Sequence, residues 1–111
     1  MRDKVIDNFD VKILDGYVLR GKITDYLNSL FDVLDTRLEE FSAMNELWKD
    51  NSKSLAFIFG RIHAELAVFE ALGLIRQKKL DFLYELLIEK KCYFECLYAA
   101  CKNIYERREE S

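Results

Sequence analysis

The sequence predicts an all-α fold: a bundle of three main antiparallel helices plus a short N-terminal helix or hairpin. Three observations carry this. The chain has no Pro and only four Gly, so little interrupts regular structure. Three long segments space their apolar residues at the helical period. One of them, Leu55 to Leu72, is apolar on two opposite sides, and a helix of that kind must be covered on both.

One domain spanning 1–111 is expected, divided into an N-terminal element over 1–21 and helices over 22–50, 53–72 and 77–108. The first part is ambiguous. Val5, Phe9 and Ile13 sit at helical spacing, while Asp15-Gly16 between β-prone runs has the shape of a hairpin turn. In 22–50, Ile23, Leu27, Leu30, Leu34, Leu38, Phe41 and Trp48 form one stripe, with Tyr26, Val33 and Met44 beside it. Asp50-Asn51-Ser52 is a polar break, and Ser52 or Ser54 suits the N-cap of the next helix.

The central helix carries Leu55, Ile58, Phe59, Ile62, Leu66 and Phe69 on its bulky side. Ala56, Phe57, Ala64, Ala67, Val68 and Ala71 form its small-residue side. Gly73 fits the left-handed residue that closes a helix. Gly60, inside the helix, costs about 1 kcal/mol against Ala and suggests close approach by a neighbour. The last helix has two adjacent apolar faces. One holds Leu80, Leu83, Tyr84, Leu87, Phe94, Tyr98, Cys101 and Tyr105; the other holds Phe82, Leu86, Tyr93, Leu97, Ala100 and Ile104.

Three helices cover the bulky side of the central helix but not everything else. Self-association as a twofold homodimer is therefore expected. Its interface would bury Phe57, Ala64, Ala67, Val68 and Ala71, or the face of Phe82, Leu86 and Tyr93.

A formal charge of −3 argues against a dedicated nucleic-acid binder, which needs a concentrated basic surface. The charge is uneven: residues 22–50 hold three basic and seven acidic residues, and residues 75–111 eight basic and seven acidic. Arg76, Lys78, Lys79, Lys90 and Lys91 are candidate nucleic-acid contacts, diluted by interleaved Asp81, Glu85, Glu89 and Glu95. No stretch has the run of apolar residues a membrane span needs, and Met1-Arg-Asp-Lys opens no signal-peptide pattern. The expected location is the cytoplasm, with Cys92, Cys96 and Cys101 as reduced thiols.

No metal or cofactor is expected, because the single His stands outside any Glu-x-x-His pattern and no phosphate-binding glycine loop occurs. His63 reads as a seam residue beside Glu70, and Cys92 and Cys96 as half-exposed residues on the polar arc. Arg37 reads as lying inside the apolar stripe of the second segment, and Arg20 extends that stripe. An Arg aimed into a bundle needs a carboxylate partner or a bound anion, so the pair is a candidate anion site.

Leu19-Arg20-x-x-Ile23 followed by Leu30-Phe31-x-x-Leu34-x-x-Arg37-Leu38 resembles the first helix of the small all-α chorismate mutases. The resemblance implies that Arg20 and Arg37 hold substrate carboxylates in a chorismate-mutase-like isomerase. Thr24 and Leu27 stand where that family has Asp, and Trp48 where it has Lys. Arg61 and Glu65 loosely match the Arg–Glu pair of its next helix.

The residues themselves favour a non-catalytic protein acting by protein–protein interaction, as an accessory, adaptor or inhibitory factor. Residue choice, with abundant Lys, Ile, Tyr and Phe and no Pro, suits an AT-rich bacterial or phage genome. The alternatives are a nucleic-acid-binding accessory protein using the basic cluster and, third, the mutase-like enzyme.

Overall fold

The computed structural model describes residues 16–110, with side chains described for 21–106. Three helices make up the fold: α1 (Gly16–Phe41), α2 (Trp48–Ala71) and α3 (Gln77–Glu110). They form an up-down-up bundle. Tyr26 of α1 meets Phe69 near the end of α2, and Trp48 at the start of α2 meets Tyr98 and Tyr105 near the end of α3. Antiparallel neighbours on both sides of α2 leave α1 and α3 parallel, and Lys90 of α3 pairs with Asp35 of α1 between them. The all-α class follows as expected. The expected N-terminal helix or hairpin falls mostly outside the described residues, but 17–20 are helical, so the second strand of a hairpin does not form there.

The buried residues show why these helices pack together. In α1 they are Leu27, Phe31, Leu34, Leu38 and Phe41; in α2, Trp48, Ser52, Leu55, Phe59, Ile62 and Leu66. Both sets alternate steps of four and three, a 3.5-residue repeat that keeps one seam facing a neighbouring helix. In α3 the same rhythm runs through Leu80, Leu83 and Leu87 and returns at Cys101. Lys90 occupies one of its slots. An aromatic cluster closes the far end, where Phe94 packs on Phe41 at 5.4 Å and on Phe59 at 5.5 Å between ring centres. The Tyr105 hydroxyl donates to the Met44 carbonyl at 2.7 Å, tying α3 to the α1–α2 turn.

Helix boundaries correct the expected ones. α1 stops at Phe41 and α2 begins at Trp48, not at 53. The turn over 42–47 is built by Met44, whose φ of 51° is left-handed, and by Asn45, whose Oδ1 accepts the Leu47 amide at 2.9 Å, a local bond that Asn makes readily. Ser52 is therefore no N-cap. It lies inside α2, buried, and its hydroxyl donates back to the Lys49 carbonyl at 2.8 Å. At the other end of α2 the expectation holds. Gly73 has φ 66°; its amide reaches Glu70 O and the Leu74 amide reaches Phe69 O. This paired bonding satisfies the last carbonyls of the helix.

The bundle is elongated, 65 × 34 × 19 Å, with a radius of gyration of 18.8 Å. A compact chain of this length has about 13 Å. The longest helix is α3, whose 34 residues span about 51 Å at 1.5 Å per residue. Because α2 packs against both neighbours while α1 and α3 make little backbone contact, one side of the molecule is a cleft and the other is the bare ridge of α2.

Candidate functional site

The ridge is the small-residue side of α2. The bulky side fills the core with Leu55, Phe59, Ile62 and Leu66, so helical geometry turns the opposite side outward. Ala56, Phe57, Gly60, Ala64, Ala67, Val68 and Ala71 are all exposed. Phe57 is 70% exposed and Val68 50%. The five α2 residues expected at an interface thus form one uncovered surface on the single chain. A Cβ added at Gly60 would meet nothing within 4 Å, so no neighbour among the described residues makes the close approach expected there.

Beside the ridge a groove of about 570 Å³ opens between α2 and α3, with Ala56, Gly60 and His63 on one wall and Tyr84, Ile88 and Lys91 on the other. Ile88 is 60% exposed. Periodicity misses it because it falls outside both apolar faces of α3; only the fold places it next to the ridge.

Phe82, Leu86 and Tyr93 lie on the other side of the molecule. Phe82 and Leu86 line a cleft of about 490 Å³ between the first halves of α1 and α3, with Ile23, Leu27 and Phe31 opposite and Arg76 and Lys79 at its edge. Leu86 and Tyr93 line its continuation, about 500 Å³, against Asp35, Leu38 and Glu39. The two sets expected as alternative interfaces are therefore separate surfaces.

The basic residues do not form one stripe. Arg76, Lys78, Lys79 and Lys91 are exposed, and the Lys79 ammonium stands 5.2 Å from the centre of the Phe82 ring. Lys90 is set apart from them: it is partly buried, and its ammonium lies 2.5 Å from the Asp35 carboxylate across the α1–α3 cleft. Its place in the core rhythm of α3 turns it inward, away from Lys91.

Arg37 has the carboxylate partner expected of it but not the expected register. It lies off the buried stripe, half exposed, and pairs with Glu40 one turn along at 3.3 Å. It lines none of the three cavities. The Arg20 side chain lies outside the described set. Of the Arg–Glu pair in the mutase-like pattern, Arg61 is exposed, while Glu65 accepts the Tyr26 hydroxyl at 3.0 Å. Arg37, Arg61 and Glu65 line none of these cavities.

His63 is exposed with its ring 5.7 Å from that of Tyr84. The partner of Glu70 is the Tyr84 hydroxyl, at 3.4 Å. Burial, and then the charge of Glu70 beside it, push the Tyr84 hydroxyl pKa up. Cys92 and Cys96 are exposed and Cys101 is buried, in the positions expected; burial raises the Cys101 thiol pKa. Among the described residues no three His, Cys, Asp or Glu side chains cluster as a metal site would require, and no helix is long and apolar enough to cross a membrane.

No protein-family model, curated protein or solved structure matches the chain.

Proposed function

We propose that this protein is non-catalytic and works by contact with other proteins, and that the ridge of α2 is its principal contact surface, paired first with a second copy of itself. The observation that supports this is the ridge: Phe57 and Val68 stand exposed beside a row of Ala and Gly on the helix that otherwise fills the core. Contiguous exposed apolar surface of that kind marks interaction sites.

A twofold antiparallel pairing centred on Ala64 makes the ridge complementary to itself. Phe57 then lies over Ala71 of the second copy, and Gly60 opposite Val68, so each large side chain meets a small one. The missing Cβ at Gly60 gains a purpose that the single chain does not supply. Symmetric pairing of one patch with itself is the commonest form of oligomer.

Ala64→Cys tests this in a chain where Cys92 and Cys96 are Ser. A residue on the twofold axis meets its own copy, so mild oxidation should give a covalent dimer much faster than Lys102→Cys in the same background. Equal rates would refute the pairing.

A further inference from the structure

Arg61 and Glu65 stand one turn apart on the α1 side of the α2 ridge. Arg61 is exposed, and among the described residues no hydrogen bond or ion pair holds it. Glu65 is half-buried, and its Oε1 accepts the Tyr26 hydroxyl at 3.0 Å, which leaves most of the carboxylate's acceptor capacity unused. The two do not pair with each other within the chain. A cation placed ahead of its carboxylate on a helix is the weaker order for such a pair. A cation and an anion thus border an apolar surface, each able to take a partner from outside.

In the antiparallel pairing about Ala64, each of these charges meets its opposite. Successive residues turn by about 100°, so Arg61 and Glu65 lie about 60° and about 100° from Ala64 on the same flank of the helix. A twofold axis across the helix pair brings that flank against the same flank of the second copy. At 1.5 Å per residue, Arg61 lies about 4.5 Å along the helix from the axis, and Glu65 of the second copy about 1.5 Å from it in the same direction. The two groups are then offset by about 3 Å along helices spaced about 8–10 Å apart, within reach of Arg and Glu side chains. A parallel pairing gives a different result. It sets the Arg61 flank against the opposite one, where Gly60, His63 and Ala67 offer no carboxylate.

We infer that Arg61 and Glu65 form two reciprocal ion pairs across the dimer, Arg61 of each copy with Glu65 of the other, and that these pairs set its antiparallel orientation and its selectivity for a second copy of the same chain. The inference rests on the self-pairing of the ridge proposed above. Packing of Phe57 and Val68 on small residues supplies the contact; the charges select the alignment, as charged pairs beside apolar seams do.

Charge exchange tests this by sedimentation of the full chain in reductant, with circular dichroism to confirm that each variant keeps its helices. Arg61→Glu sets carboxylate against carboxylate at both pairs, and Glu65→Arg sets cation against cation. Each variant alone should associate at least about tenfold more weakly than wild type. Mixed in equal amounts, the two should form a one-to-one heterodimer, because every pair is again opposite in sign. The double exchange, Arg61→Glu with Glu65→Arg, should restore the homodimer. Single variants that associate as wild type does, or a mixture no more associated than its components, would overturn the ion pairs while leaving the ridge pairing in place. A wild type that stays monomeric at every concentration would overturn the ridge pairing and these ion pairs with it.

Discussion

Ser52→Ala should stabilise the protein, and its sign discriminates between two placements of the start of α2. In the structure α2 starts at Trp48, and Ser52 is buried one turn inside, its hydroxyl bonded to the Lys49 carbonyl. That carbonyl is within the helix, so the hydroxyl satisfies no orphan group. A mid-helix Ser that bonds back to its own helix slightly disfavours it, and Ala has the higher helix propensity by about 0.5 kcal/mol. Removing a buried hydroxyl from the seam between Trp48 and Leu55 also costs no cross-helix partner. The expected gain is about 0.5–1 kcal/mol, or a rise in Tm of roughly 2–8 °C for a domain of this size. If α2 instead began at 53, Ser52 would cap it, and the same change would cost about 0.5–2 kcal/mol. Thermal and urea unfolding followed by circular dichroism read the sign directly. A clear loss of stability would refute the placement of the α1–α2 turn at 42–47.

Gly60→Ala should raise the unfolding free energy of the dilute chain by about 1 kcal/mol, since nothing occupies the space around it, yet weaken self-association, because the added methyl faces Val68 of the second copy; sedimentation over a concentration series separates the two effects. Tyr105→Phe removes the hydroxyl that donates to the Met44 carbonyl and should cost about 0.5–1.5 kcal/mol in urea titration. Burial raises the Cys101 thiol and Tyr84 hydroxyl pKa values, so the folded state holds these protons to higher pH than the unfolded state does. Their contribution is complete below the ordinary thiol range and is lost as pH rises through the raised values. Alkaline unfolding should set in later for Cys101→Ala if its packing is otherwise kept, and in the native wild type a thiol reagent should modify Cys92 and Cys96 before Cys101.

Much of the core is readable in the sequence because its stripes are regular. Leu27, Leu34, Leu38 and Phe41 in α1, and Leu55, Phe59, Ile62 and Leu66 in α2, are predicted and buried. Gly73 is readable too, because a left-handed closing residue favours Gly. The α1–α2 turn is not. It contains neither Gly nor Pro, and its left-handed residue is Met44, a residue type that does not signal that conformation. The polar triplet Asp50-Asn51-Ser52 imitates a break, although it forms the first turns of α2. Arg37 precedes Leu38 in the chain but lies about a quarter-turn away from the stripe, since each residue advances about 100°; so it reaches solvent and Glu40. Lys90 shows the reverse. Its type suggests a free surface cation, but its register brings it to Asp35. The two candidate interfaces are legible as apolar faces, whereas their separation depends on how α1 and α3 diverge, which no single helix encodes.

The most direct test of the contact account is the solution mass by light scattering across a concentration series, in reductant, for wild type and Val68→Glu. Val68 is half exposed on the single chain, so a charge there should cost the fold little. The account predicts a mass near twice 13.2 kDa for the wild type and a return to 13.2 kDa in the variant. A wild type that stays at 13.2 kDa at every concentration, or a dimer indifferent to Val68→Glu, would contradict pairing through the α2 ridge.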